Sequence, residues 1–124
     1  MEWIEANDIK EKIFGLVSSL GFSHINPGRV FCFRSFGSKS RARARVWSLP
    51  RIWQKALKVS PAYCLEVIAE RFDNLQEETK SKILIHELLH LPKNFSGSLL
   101  PHRGYKRQID TKTIERLYQK LKNG

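Results

Sequence analysis

Five consecutive residues, His86-Glu87-Leu88-Leu89-His90, have the types and spacing that can do chemistry in this 124-residue chain. On a helix, histidines four positions apart stand one turn above each other on one face, so both imidazoles can reach a single Zn²⁺. Glu87 shares that face and can act as general base on a metal-activated water while the metal polarises a peptide carbonyl. A catalytic zinc needs a third protein ligand before water takes the fourth position. His102 is the first candidate, returned after a loop containing Pro92, Gly97 and Pro101. Its rival is an acidic residue on the following helix, chiefly Glu115, which would give a site of two histidines and one carboxylate. Tyr105 and Arg103, just past His102, are candidates to stabilise the oxyanion on the attacked carbonyl. A lone histidine such as His24 reads as an ordinary hydrogen-bonded residue, whereas two histidines and a glutamate on an apolar helix are costly to bury without a metal.

The elements that must position these groups follow from the hydrophobic pattern. Leu75 to Leu91 reads as one helix, with Asn74 as N-cap, Glu77 three residues on as in a capping box, and Pro92 as the stop. Ile83, His86, Glu87 and His90 share one face of it, and leucines and isoleucines cover the rest. Upstream, Ile4 to Leu20 has helical spacing and ends at Gly21. Val30 to Phe36 and Arg43 to Leu49 read as a hairpin around Gly37-Ser38-Lys39-Ser40, Pro50 to Leu57 as a short helical turn, and Ala62 to Arg71 as a strand with Tyr63, Leu65, Val67 and Ala69 on one face. Asp110 caps a last helix with an apolar stripe of Ile114, Leu117, Tyr118 and Leu121. The expectation is an α+β fold in the order α-β-β-β-α-α, over one domain spanning residues 1–124: an N-terminal helix, a three-stranded sheet, the HExxH helix and a C-terminal helix. An exposed strand beside the zinc helix would let an extended substrate pair with it. Trp47 and Trp53 are expected as core anchors rather than cleft residues.

The stretch from Ala44 to Arg103 resembles the HExxH zinc metallopeptidases of archaea and phages. The resemblance is carried by Arg45-Val46-Trp47-Ser48-Leu49-Pro50-Arg51-Ile52-Trp53, Tyr63-Cys64-Leu65-Glu66-Val67-Ile68, the zinc pentapeptide, Phe95-Ser96-Gly97 and Pro101-His102-Arg103. It implies a compact zincin-like domain with His86, His90 and His102 as ligands and Glu87 as catalyst. The chain is also similar, more distantly, to the SprT-like proteases, whose third histidine follows a longer loop and is itself followed by glycine. Here Arg103 separates His102 from Gly104, a departure that weakens transfer of the substrate of those proteases, protein crosslinked to DNA, more than it weakens the metal site.

Composition sets the outer bounds. A chain of this length with 41% hydrophobic residues builds one modest core. No apolar run reaches membrane-spanning length, and the acidic start Met1-Glu2-Trp3-Ile4-Glu5 is unlike a secretory signal, so a soluble cytoplasmic monomer is expected. Cys32 and Cys64 lie in candidate strands, form no C-x-x-C pair, and read as free thiols. The net charge of +10 favours an acidic partner such as nucleic acid. Arg41, Arg43 and Arg45 alternate with small or apolar residues, which would place three guanidinium groups on one sheet face for phosphate contact, or for ion pairs with Glu66 and Glu70. The reading is a metallopeptidase with one Zn²⁺ per chain, acting on protein or peptide. Two alternatives stand beside it: a noncatalytic basic nucleic-acid-associated protein with a structural zinc, and a latent protease acting on DNA-bound proteins, its cleft filled by Phe95 to Leu100 or by the last helix.

Overall fold

The computed structural model describes residues 1–101 and 109–124. His102, Arg103 and Tyr105, expected as third ligand and oxyanion partners, lie outside the described residues. In chain order the elements are β1 (Glu2–Glu5), α1 (Asn7–Ser19), a 3₁₀ turn (Pro27–Arg29), β2 (Val30–Phe36), β3 (Ala44–Trp47), α2 (Arg51–Leu57), β4 (Tyr63–Ile68), α3 (Ala69–Phe72), α4 (Glu77–Leu89) and α5 (Thr111–Asn123). The strands form a mixed sheet in the order β1-β2-β4-β3, four-stranded among the described residues.

The sheet differs from the expected one in two ways. Glu2–Glu5 is a strand, antiparallel to β2, where the periodicity from Ile4 had placed helix. The sheet therefore gains a fourth strand, and α1 begins only at Asn7. The expected hairpin between β2 and β3 is also absent, because β4 inserts between them, parallel to β2 and antiparallel to β3. The cause lies in β4, where Leu65, Val67, Ile68 and even Glu66 are almost fully buried. A strand covered on both faces belongs in the middle of a sheet. The segment between Phe36 and Ala44 is long enough to cross two inter-strand spacings of ~4.8 Å, which a tight hairpin turn is not. β4 also ends earlier than expected, so Ala69 and Arg71 lie in α3.

One face of the sheet carries the core. Val30, Cys32, Ala44, Leu65 and Val67 pack with Ile9 and Ile13 of α1, Phe72 of α3, and Leu84, Ile85 and Leu88 of α4. α5 closes over α4 with the stripe read from the sequence: Ile114, Leu117, Tyr118 and Leu121 pack against the core cluster, and the Asp110 side chain accepts from Thr113 N–H at 2.8 Å. Lys82 of α4 ties the two helices by an ion pair with Glu115 at 2.6 Å. α4 itself starts at Glu77, with Gln76 rather than Asn74 as its N-cap residue. Cys32 and Cys64 are free thiols in β2 and β4, as expected. Trp47 and Trp53 are not core anchors, since they stand 45% and 56% exposed. Among the described residues, no helix is long and apolar enough to cross a membrane.

Candidate metal centre

His86 and Glu87 lie in the last turn of α4, and His90 is the residue that caps it. Leu84, Ile85, Leu88 and Leu89 anchor this end in the core, which fixes the outward direction of the intervening polar side chains. The two imidazoles meet with their Nε2 atoms 3.4 Å apart. Two nitrogens bound to one tetrahedral zinc at ~2.05 Å would be separated by ~3.3–3.4 Å, so the pair is already at ligand spacing.

The second nitrogen of His90 decides the tautomer. Nδ1 stands 2.6 Å from the Leu100 carbonyl, which can only accept a hydrogen bond. Nδ1 therefore carries the proton, and in the neutral ring Nε2 keeps its lone pair for a cation. Leu100 also donates its own N–H to the His90 carbonyl at 2.7 Å, so the 92–100 loop grips this histidine from both sides. The loop is held in turn by the buried Tyr63, whose hydroxyl accepts from Gly97 N–H at 2.9 Å and donates to the Ser98 carbonyl at 2.8 Å. Gly97 has φ +94°, and a Cβ there would fall 2.4 Å from the Leu49 carbonyl oxygen. Only glycine fits this close approach. A main-chain carbonyl that orients a histidine has no sequence signature, and Leu100 was not foreseen.

Glu87 is 8% exposed, and burial pushes its pKa up to about 8. Its Oε2 lies 3.8 Å from His86 Nε2, beside the point where the two histidines converge. A carboxyl kept out of water next to a cation site is suited to take and return a proton near neutral pH.

Among the described residues no group of three or more His, Cys, Asp or Glu is placed to hold a metal ion. The described donor set offers two imidazole nitrogens at a spacing that fits zinc. Glu115 borders the same 420 Å³ hollow as His86 and Glu87. Its carboxylate, however, is engaged by Lys82 and, at 3.0 Å, by Gln119.

The cleft wall opposite α4 is β3, an edge strand among the described residues. Ala42, Ala44 and Val46 line a 380 Å³ hollow together with His86, Glu87, His90 and Leu99. Ile68 N–H donates to the Arg43 carbonyl at 2.9 Å, which sets the alternation along the strand. Arg43 and Arg45 direct their main-chain groups at β4, while those of Ala44 and Val46 point away from it, along the cleft.

The three arginines do not form one phosphate-binding row. β3 contains only Arg45, which crosses to the buried Glu66 at 2.7 Å. Arg43 instead borders the hollow beside His86 and Glu87, and Arg41 lies in the preceding loop. The ion-pair alternative holds for Glu66, whereas Glu70 accepts from Gly37 N–H at 2.9 Å.

No curated protein and no solved structure matches this chain. A family model does, under the description "Putative phage metallopeptidase", and it covers residues 1–122. With a histidine pair at ligand spacing at the end of α4 and a buried glutamate beside it, the chain belongs to this phage metallopeptidase family.

Proposed function

We propose that the protein is a zinc-dependent peptidase in which His86 and His90 bind the ion through Nε2, His102 completes the protein ligands, and Glu87 is the general base. The observation that carries this reading is the 3.4 Å Nε2–Nε2 separation, combined with a His90 ring whose other nitrogen is committed to Leu100. When bound, the ion supplies Lewis acidity toward water and the scissile carbonyl. Glu87 Oε2 takes the proton of the attacking water and passes it to the leaving amine, a role favoured by a carboxylate whose basicity burial has raised. The main-chain groups of Ala44 and Val46 point away from β4 and, among the described residues, would be open to an extended substrate, which would add to the sheet as a further strand and lie across the histidines. Arg103 or Tyr105 would steady the oxyanion.

Hydrolysis of an unstructured protein such as casein tests this reading. Glu87→Gln removes no ligand and is nearly isosteric, so it should retain zinc and fold while cleavage falls by on the order of 10²-fold or more. Equal cleavage by the wild type and the variant would remove Glu87 as the base.

A further inference from the structure

The sheet face turned away from the core carries a cavity that the peptidase reading does not use. Trp3 on β1 and Trp47 on β3 reach toward each other over the two central strands, with ring centroids 6.5 Å apart and planes at 89°. They border a cleft of about 320 Å³ with Phe33, Cys64 and Glu66. Both indoles are half exposed, Trp3 at 52%. Beside Cys64 on β2 lies Phe31, also exposed, with the Arg29 guanidinium 5.4 Å from its ring centroid. Two half-exposed indoles beside an exposed phenyl ring form an apolar surface suited to binding a flat ligand.

Trp47 is held in position. Glu66, only 1% exposed, accepts from Trp47 Nε1 at 2.8 Å and from Arg45 Nε at 2.7 Å, and the Arg45 guanidinium lies 4.8 Å from the Trp47 ring centroid. Burial opposes the Glu66 charge, but its donors, led by Arg45, outweigh that and keep its pKa below the ordinary carboxylate value. The carboxylate is thus occupied in orienting the indole, which leaves the cleft to apolar, flat groups.

Charge identifies the occupant. Between Lys39 and Ala62 the chain carries seven Lys or Arg and no Asp or Glu, with Trp47 and Trp53 interleaved. A second copy of a chain with net charge +10 would bring like charge against like. A polyanion with exposed aromatic faces satisfies both features. We propose that this face binds single-stranded nucleic acid, one unpaired base stacking in the Trp3–Trp47 cleft while the phosphate backbone meets cations at its border, Arg29 over Phe31 and Lys39 beside Arg45. Stacking on indole tolerates any base, so binding is sequence-indifferent, and a duplex, whose base faces are hidden, binds more weakly. Arg45 then acts by fixing Trp47 rather than as one of three aligned phosphate contacts.

The test uses the full chain, a fluorescein-labelled oligothymidylate of about 20 nucleotides, longer than one such site, and the protein's own tryptophan emission. Binding should quench the indoles and weaken as salt rises. Trp3→Ala, a change at an exposed edge-strand position, should weaken binding roughly 10-fold or more, with Trp3→Phe retaining most of it. Zinc content and casein cleavage should be unchanged in Trp3→Ala, so failure here is separable from failure of the peptidase reading. Trp47→Phe keeps a stacking ring without its Glu66 hydrogen bond and should show an intermediate loss. The proposal is overturned if the wild type does not bind at low salt, if Trp3→Ala and Trp47→Phe both bind as the wild type does, or if duplex of equal length binds as tightly. It also fails if Trp3→Ala abolishes a wild-type dimer in sedimentation while oligonucleotide binding persists, which would give the face to a second copy.

Discussion

Replacing Glu87 by glutamine should stabilise the metal-free fold in alkaline solution and leave it nearly unchanged in acid. Burial raises the Glu87 pKa from the ordinary 4.5 to about 8 in the folded chain. Below about pH 4.5 both folded and unfolded chains hold the proton, so the group adds no pH-dependent difference. Between the two values the folded chain keeps a proton that the unfolded chain has released, and stability falls as pH rises. Above about pH 8 both states are ionised, and the full cost of a buried carboxylate is felt. That interval corresponds to at most ~5 kcal/mol, and water reaching the open side of the cleft brings the expected gain for glutamine to ~2–4 kcal/mol. The assay is urea unfolding of both proteins after zinc removal, at about pH 4 and about pH 9. Comparing the two at each pH cancels the titration of other groups. A difference independent of pH, or a wild type more stable than the variant at the alkaline end, would refute the reasoning.

Two further outcomes follow from the geometry. His86→Ala and His90→Ala should each release zinc on dialysis and His102→Ala should weaken its binding strongly, while Glu115→Ala, whose carboxylate is engaged by Lys82, should retain it; metal analysis of the dialysed variants measures the ranking. Val46→Pro removes an N–H that points along the cleft rather than at β4, a position where an edge strand tolerates proline. It should lower kcat/KM on an extended peptide by roughly 10-fold with zinc content intact, and unchanged turnover would show that substrate does not pair with β3.

The family of this chain was more legible than its topology. HExxH spacing on an apolar helix reads as a metal-binding pattern from side chains alone, and the Asp110 cap and the Ile114–Leu121 stripe mark α5 plainly. β1 was hidden because its four residues are all exposed and run directly into α1, so that Ile4 could be counted as helical. The order of β2, β4 and β3 was hidden because non-local pairing leaves no trace in adjacent residues, and alternation is equally compatible with a hairpin. Trp47 and Trp53 were misplaced because large aromatics are usually buried, and nothing local shows that one of them is held at the surface by a glutamate from a neighbouring strand. The tautomer of His90 depends on the backbone of Leu100, which any residue would supply.

The most direct measurement is zinc K-edge X-ray absorption on the metal-loaded wild type, with stoichiometry from the same sample. An open catalytic site predicts one zinc per chain with three protein ligands, all imidazole nitrogens at ~2.0–2.1 Å, and one exchangeable oxygen. Four protein ligands with no exchangeable position, or a protein that takes up no zinc, would contradict the account.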